Sequence, residues 1–252
     1  MDLFDYRASE REQQRMQDLL NLLPQSGSSA LDVGARDGHL SRLLINRFER
    51  VVALDIQPIP ALPSRVEFVQ GDIADLQFQD NEFEAVVCAE VLEHIPPERL
   101  PRACSELARV ARSSVIVGVP FRQDLRCART TCVECGGENP PWGHVNSFDN
   151  QRLAGLFSGL SVDTVSYVGS SLQRTNALSA ALMSFAGNPF GTYGQDEPCI
   201  HCGASLKPPP QRSIVQRLAT RAATIVDRLQ NRFRAPQPNW IHVRFSKQAS
   251  RR

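Results

Sequence analysis

Three short apolar runs each end at an acidic residue, and this pattern constrains the fold more than any other feature of the chain. The runs extend from Ala30 to Asp32, from Val51 to Asp55 and from Val66 to Asp72. Apolar runs of this length are typical of buried parallel strands, and amphipathic helical stretches separate them. In such a sheet, nucleotides bind beyond the carboxyl ends of the strands. The pattern therefore predicts an α/β protein that binds a nucleoside.

The turn after the first run distinguishes between two classes of nucleoside ligand. It contains Gly34 and Gly38, while Arg36 occupies the place of a middle glycine, so no G-x-G-x-x-G can be drawn. Arg36 argues against a loop that wraps the pyrophosphate of a dinucleotide. Asp55 ends the second run, where a carboxylate can accept both hydroxyls of a ribose, and Asp72 is placed to accept from an adenine amine. The alternative is that these acidic residues only start turns.

The fourth strand-like run, from Phe83 to Ala89, leads directly into Glu-Val-Leu-Glu-His-Ile-Pro at 90–96. With this segment the chain resembles the class I S-adenosylmethionine methyltransferases, over about residues 29–168 and the last strand. The resemblance implies a Rossmann-like, doubly wound sheet, methyltransferase activity and S-adenosylmethionine as cofactor. The cofactor-binding residues that it implies are Asp32, Gly34 and Gly38 at the methionine part, Asp55 and Ile56 at the ribose, and Asp72 and Ile73 at the adenine.

The strand pattern also predicts the organisation of the chain. We expect an N-terminal helical cover at 1–28, a methyltransferase core at 29–168 with an insertion at 122–143, a second insertion at 169–237, and a final strand with a basic tail at 238–252. The N-terminus has no basic region followed by an apolar one, and no apolar stretch reaches membrane-spanning length. These features predict a cytoplasmic protein.

The two insertions carry two Cys-x-x-Cys-Gly segments. Seven cysteines, an odd number, favour metal binding in a reducing compartment over a disulfide framework. Two-residue spacing lets both thiolates of a pair face one ion, and two pairs complete a tetrahedral zinc site. The predicted structural zinc ligands are Cys132, Cys135, Cys199 and Cys202, with Cys127 and His201 as alternates. The other interpretation is four reduced cysteines in loops, or a redox pair.

Two carboxylates and an imidazole follow the fourth strand. On a helical turn, Glu90, Glu93 and His94 share one face, and oxygen ligands with imidazole suit a divalent cation. His144 follows the fifth strand and is the candidate for a fourth ligand. Here the chain is similar to the small-RNA 2′-O-methyltransferases and the ubiquinone-pathway O-methyltransferases, which implies a divalent cation at the active site. In the alternative, metal-free site, His144 is the general base.

The C-terminal part of the chain is strongly basic. From Ser205 onward there are 11 Lys or Arg residues and one acidic residue, Asp227. Residues 211–234 are predicted to form an amphipathic helix of the interfacial type, which indicates peripheral contact with a membrane, at its inner face for a cytoplasmic protein. A phosphorylated lipid carrier, RNA or simple packing of the helix on the domain are the alternatives, and no aromatic residues are interleaved to favour nucleic acid.

The predicted function is transfer of a methyl group to a hydroxyl of a small molecule or a lipid-linked glycan. The glycan inference rests on resemblance to bacterial methyltransferases of surface-polysaccharide synthesis that carry a Cys-x-x-Cys-Gly insertion. No Asn-Pro-Pro-Tyr follows the fourth strand, which disfavours methylation of base amines. The alternatives are an RNA ribose 2′-O-methyltransferase and a non-catalytic, zinc-stapled RNA- or membrane-binding protein.

Overall fold

The computed structural model describes residues 7–172 and 174–247, and these divide into two compact units. The sheet unit comprises 7–121, 148–169 and 238–247. The insertion unit comprises 122–147 and the described residues of 170–237.

The sheet unit contains seven strands and four α-helices among its described residues. The strands are β1 (Gly27–Val33), β2 (Phe48–Asp55), β3 (Val66–Gln70), β4 (Phe83–Ala89), β5 (Ala111–Pro120), β8 (Ser161–Val168) and β9 (Trp240–Ser246); β6 and β7 belong to the insertion unit. The helices are α1 (Glu10–Asn21), α2 (His39–Leu44), α3 (Leu100–Val110) and α4 (Asn150–Leu156). The sheet order is β3-β2-β1-β4-β5-β9-β8. Strands β1 to β5 are parallel, and β9 pairs antiparallel with both β5 and β8. The predicted doubly wound α/β fold is confirmed.

Alternate residues of the central strands supply two separate hydrophobic cores. Leu31 of β1 packs in a core with α3 and α4, whereas its neighbour Ala30 packs in a core with α1 and α2. Because both faces of the sheet are covered, the central strands are apolar throughout, which is why their sequences predict buried parallel strands.

The N-terminal segment expected to be helical contains α1, in which Met16 and Leu19 are buried. Its buried side also includes two charged residues, Glu12 and Arg15, which form an ion pair. An unpaired charge would be costly to bury, so the burial of these two residues indicates polar partners nearby.

The insertion unit is held by a short antiparallel pair and a helical pair. Strands β6 (Thr130–Thr131) and β7 (Glu138–Asn139) form the first, and helices α5 (Ala177–Phe185) and α6 (Ile214–Asn231) pack together as the second. Both helices begin with a capping box, at Asn176 and Ser213, which satisfies amide groups of the first turn. None of the described helices has both the length and the apolar content needed to cross a bilayer.

Candidate functional site

The turn between β1 and α2 has an unusual backbone that fits a closely approaching ligand. Gly34, Arg36 and Gly38 all have positive φ, at 74°, 51° and 71°. A Cβ at Gly34 would lie 2.3 Å from Cγ2 of Val91, so no larger residue fits there without displacing that side chain. Arg36 adopts the left-handed conformation although it is not glycine, so the turn keeps this backbone geometry without a glycine at position 36.

Asp55 ends β2 beside this turn. Its Oδ2 accepts a hydrogen bond from the backbone N–H of Arg36 at 2.7 Å, and its Oδ1 accepts one from the N–H of Gln57 at 3.0 Å. A carboxylate oxygen has two lone pairs, so each oxygen can accept once more. The arrangement can bind two vicinal hydroxyls, and the neighbouring Ile56 has 67% of its surface exposed.

Asp72 and Ile73 follow β3. Asp72 accepts from the N–H of Ala74 and pairs with Arg99, and the pKa of Asp72 is lowered mainly by the Arg99 hydrogen bond. The Asp72 carboxyl is therefore ionised and able to accept from an amine. The side chain of Ile73 packs in the core with Leu54, at 6% exposure, so its side chain faces away from solvent.

Asp32 at the end of β1 is almost fully buried. It accepts a hydrogen bond from Ser41 of α2, and burial raises its pKa to about 6. The structure thus places this carboxyl, expected at the methionine part of a cofactor, against the helix that follows the turn. From there it supports the turn through Ser41.

The segment after β4 differs from the helical turn that the spacing of its acidic residues suggested. Residues Leu92–His94 form one turn of 3-10 helix, and Glu90 precedes it with a φ of 59°. Glu90 Oε2 accepts from the indole N–H of Trp240 at 3.0 Å, and Oε1 lies 3.8 Å from a nitrogen of Arg15. The i, i+3, i+4 argument for a shared face is therefore wrong, because Glu90 lies outside the helical turn.

Glu93 and His94 occupy a desolvated part of the sheet unit. Glu93 is fully buried, and neither carboxyl oxygen has a hydrogen-bond partner among the described residues. Burial, followed by the negative charge of Glu90, raises the pKa of Glu93 well above its usual range. Burial also lowers the pKa of His94 to about 4, so its imidazole is neutral near pH 7. A bound cation would favour the ionised form of Glu93, and the neutral imidazole of His94 has a lone pair available to a cation.

His144 belongs to the insertion unit and is 8% exposed. Its Nδ1 lies 2.6 Å from Oε1 of Gln123. An amide oxygen can only accept, so Nδ1 carries the proton and the ring lone pair is on Nε2. This is the tautomer of a histidine that ligates a metal or accepts a proton through Nε2.

Comparison with known proteins agrees with this geometry. Residues 31–117 match a protein family described as methyltransferase domain. Over 98 residues the chain is 33% identical to a ubiquinone biosynthesis O-methyltransferase of Xylella fastidiosa (strain 9a5c), which covers 34% of this chain and 40% of that protein. The family match places a methyltransferase domain at residues 31–117 of the sheet unit.

Solved structures share the fold of this methyltransferase domain. The N-methyltransferase NodS of Bradyrhizobium japonicum WM9 aligns with a TM-score of 0.56 and 14% identity, over 96% of this chain and 99% of that one. A Burkholderia thailandensis 1,6-didemethyltoxoflavin-N1-methyltransferase with bound S-adenosylhomocysteine aligns with a TM-score of 0.52 and 18% identity, over 66% and 76%. The chain spans about two fifths of the length of the curated relatives it matches.

Outside the methyltransferase domain, the four cysteines of the two Cys-x-x-Cys segments come together in the insertion unit. Their sulfurs all lie within 4.8 Å of one another, and the Cys132–Cys202 and Cys135–Cys199 sulfur pairs are 3.7 Å apart. A disulfide would require about 2.05 Å. A tetrahedral site with Zn–S bonds of about 2.3 Å places its sulfurs about 3.8 Å apart, which matches the observed spacing.

The two knuckles have the same backbone hydrogen bonds. The N–H of Gly136 donates to the carbonyl of Cys132, and the N–H of Gly203 donates to that of Cys199. The proposed alternates lie elsewhere: Cys127 is not part of the cluster, and Nε2 of His201 lies 2.8 Å from the carbonyl of Glu138. The cluster therefore consists of cysteine sulfurs alone.

The sequence interpretation missed Arg15 and Trp240, which both contact Glu90 in the methyltransferase domain. Arg15 is 3% exposed, and its guanidinium also lies over the Trp240 ring, 5.7 Å from the centroid. A signal was present in the sequence, because Glu12 and Arg15 stand on the same side of α1 as Met16 and Leu19. Charged residues on an otherwise apolar helix face indicate a buried polar partner.

Proposed function

We propose that the chain transfers a methyl group from S-adenosylmethionine to a hydroxyl. The observation that carries this proposal is the Asp55 carboxylate, held between two backbone amides at the end of β2 with one lone pair per oxygen available for a ribose hydroxyl. Asp72 is the proposed contact to the adenine of the cofactor, and the turn from Gly34 to Gly38 is the proposed contact to its methionine part. Asp32 supports that turn. The resident cofactor, once bound, supplies an electrophilic methyl on a sulfonium.

The reaction is an in-line displacement. The acceptor oxygen forms a bond to the methyl carbon while the bond from that carbon to sulfur breaks, and the hydroxyl proton leaves to a base. The products are a methyl ether and S-adenosylhomocysteine. The chain therefore has to orient a hydroxyl and remove its proton. We assign these tasks to Glu90, Glu93, His94 and His144.

We infer that two of them, Glu93 and His94, hold a divalent cation. Glu93 supports the inference because a fully buried carboxyl with no partner fits a missing positive charge. A neutral His94 adds an imidazole nitrogen to the carboxyl oxygens of Glu93 in this donor set. A divalent cation in this place lowers the pKa of a coordinated hydroxyl. Without the cation, His144 is the proposed base.

The proposed acceptor is a small molecule or lipid-linked glycan with hydroxyl groups. Similarity to proteins named ubiquinone biosynthesis O-methyltransferases favours oxygen as the nucleophile. Ribose hydroxyls of RNA are the second acceptor class, and we rank them lower because no aromatic platform accompanies the basic residues.

We propose that the four-cysteine cluster holds one structural zinc. The donor set is four sulfurs with tetrahedral spacing, and two of them, from Cys132 and Cys199, are buried. Zinc bound here joins the loop around Cys132 to the loop around Cys199, which are far apart in sequence. Its role is to fold the insertion unit.

We also propose that α6 attaches the protein to an anionic membrane surface. The helix packs inward through Thr220 and Ala223 and leaves its apolar side in solvent. The exposed apolar side chains, each more than half exposed, are Ile214, Val215, Leu218, Ile225, Leu229 and Phe233. Arg217, Arg221 and Arg228 are also exposed and project beside this stripe. An apolar stripe flanked by arginines matches the charge and polarity of an anionic lipid interface.

Incubation with deuteromethyl-labelled S-adenosylmethionine and a cell extract tests the proposed activity. Mass spectrometry should find the label on a hydroxyl-bearing metabolite or glycan lipid. Label found only on RNA would show that RNA, and not a small molecule or glycan, is the acceptor. Label on an amine would reject the O-methyltransferase assignment. Failure of titration calorimetry to detect S-adenosylmethionine binding would reject the enzyme assignment and leave the zinc-stapled binding protein.

A further inference from the structure

The insertion unit contains an arginine-lined cavity that none of the functions above uses. Its volume is about 630 Å³. Three segments that are distant in sequence form its wall: residues 122–126, residues 174–177 and Arg234. We call this the arginine cavity. Its four arginines are Arg122, Arg126, Arg174 and Arg234, and the single acidic residue in its lining is Asp124.

The acidic residue is already fully engaged with one of the arginines. Arg126 donates from Nε to Oδ1 of Asp124 at 2.9 Å and from a terminal nitrogen to Oδ2 at 3.0 Å, and the N–H of Thr175 also donates to Oδ2. This forked pair leaves the carboxylate neutralised. The charges of Arg174 and Arg234 are therefore not balanced by Asp124.

Two of those arginines have no protein partner for their charge. The guanidinium groups of Arg174 and Arg234 make no hydrogen bond or ion pair within residues 7–172 and 174–247. Arg122 also lines the cavity. Two positive charges in one cavity repel each other, and an anion bound between Arg174 and Arg234 would relieve that repulsion.

The wall that carries Arg174 is held in place. Its carbonyl accepts a hydrogen bond from Asn231 of α6 at 2.9 Å, and the Asn176 side chain donates to Gln230 at 2.9 Å. Residue 177 in the lining is also the first residue of α5, so the positive end of that helix dipole faces the same space. The cavity is thus preorganised for negative charge, which reduces the cost of binding.

We propose that the arginine cavity binds a phosphoryl group, as a diphosphate or a phosphate monoester. Guanidinium forks match the oxygen geometry of phosphate, and several cations around one site suit a dianion better than a single carboxylate. The volume exceeds that of one phosphate ion and leaves room for a second phosphoryl group or the ester-linked remainder. The site is independent of the cofactor residues and of the cysteine cluster.

Titration calorimetry of the full chain with inorganic pyrophosphate tests this site. We expect saturable binding that Arg174→Ala with Arg234→Ala weakens at least about tenfold, because each substitution removes charge-assisted hydrogen bonds. Arg174→Lys should weaken binding less, since it keeps the charge and loses the fork. Arg65→Ala with Lys207→Ala removes two exposed cations that do not line the cavity, and this matched control should leave the affinity unchanged.

Absence of saturable binding, or equal weakening in the Arg65→Ala, Lys207→Ala control, would overturn the proposal. Thermal melting of each variant separates a lost site from a lost fold. A second arm uses vesicles of phosphatidylcholine with phosphatidate and the Leu218→Asp variant, in which the proposed attachment through α6 is weakened. Displacement of the protein from these vesicles by pyrophosphate identifies a lipid phosphate as the source, and pyrophosphate binding that leaves vesicle binding unchanged identifies a soluble phosphorylated compound. None of these measurements depends on methyl transfer.

Discussion

The backbone N–H of Arg36 donates a 2.7 Å hydrogen bond to the Asp55 carboxylate. This bond ties the turn after β1 to the end of the neighbouring strand β2. Arg36, which departs from the glycine pattern, is thus the residue that orients the Asp55 carboxylate proposed to bind the ribose. Arg36 makes this bond from a left-handed φ of 51°, which residues other than glycine adopt only rarely.

Substitution of Asp55 should weaken S-adenosylmethionine binding. Charge-assisted hydrogen bonds are worth about 1.5–3 kcal/mol each, so Asp55→Ala should reduce affinity by at least about tenfold. Asp55→Asn keeps one accepting oxygen, so its affinity should lie between those of the natural protein and Asp55→Ala. Titration calorimetry gives the affinities, and thermal melting controls for the loss of the Arg36 bond. Equal affinity in all three proteins would remove Asp55 from the cofactor site.

Zinc content should depend on the four clustered cysteines and not on the others. Elemental analysis of purified protein should give one zinc per chain, and Cys199→Ser should lose most of it and lower the melting temperature, because metal binding contributes to folding. Cys127→Ser is the matched control, since Cys127 lies in the same unit but outside the cluster. Full zinc occupancy in Cys199→Ser would contradict a four-thiolate site.

Asp32→Asn should stabilise the fold at neutral pH. The pKa of Asp32 is raised from 3.8 to about 6, so the folded state holds this proton more tightly than the unfolded state and loses stability as pH rises between those values. A tenfold change in proton affinity is about 1.4 kcal/mol, which gives a gain of up to about 3 kcal/mol at pH 7.5 and almost none near pH 4. An asparagine oxygen can still accept from Ser41.

Urea unfolding at several pH values checks this prediction. The stability difference between Asp32→Asn and the natural sequence should grow from pH 4 to pH 6.5 and then stay constant. Ser41→Ala is a useful comparison, because it removes the hydrogen bond and should destabilise the protein at neutral pH. A difference that does not vary with pH would show that Asp32 is ionised at little cost.

Attachment to vesicles should depend on the outward side of α6. Leu218→Asp or Ile225→Asp places a charge in the apolar stripe and should weaken binding to phosphatidylglycerol-containing vesicles at least about tenfold. Val162→Asp, an exposed apolar position on β8, is the matched control. Sedimentation with vesicles measures the bound fraction. Equal loss in the control, or undiminished binding of the α6 variants, argues against this surface.

Glu93 should be required for binding a divalent cation. Electron paramagnetic resonance should detect bound Mn²⁺ in the natural protein and much less in Glu93→Gln, which removes a ligand charge. Glu98→Gln, an exposed neighbour, should bind Mn²⁺ normally. If Glu93→Gln binds Mn²⁺ as tightly as the natural protein, or neither binds it, then the cation hypothesis fails and His144 becomes the better candidate for proton removal.

The sheet and the ends of its strands could be predicted because local sequence determines them. Strands buried on both faces are continuously apolar, and Asp55 stands where such a run stops. The backbone at Glu90 could not be predicted in this way. A positive φ in a non-glycine residue depends on surrounding contacts, here the Trp240 and Arg15 contacts to the Glu90 carboxylate, and these partners are distant in sequence.

The arginine cavity shows the same limit for a binding site. Arg122, Arg174 and Arg234 have no shared motif or spacing, and only the tertiary structure brings them to one wall. The amphipathic character of α6, by contrast, was readable from its periodicity. The sequence did not indicate which side of α6 is covered. The buried positions are small or polar residues such as Thr220 and Ala223, and the apolar stripe is exposed.

The position of β9 has a consequence for the order in which the protein is made. This last strand lies between β5 and β8, and within the described residues β8 pairs with no other strand. During synthesis, β8 therefore leaves the ribosome with no neighbour and waits while residues 169–239 are added. The sheet is completed only after Trp240–Ser246 has been synthesised, so a premature stop before Trp240 would leave two unpaired edges and a protein prone to aggregate.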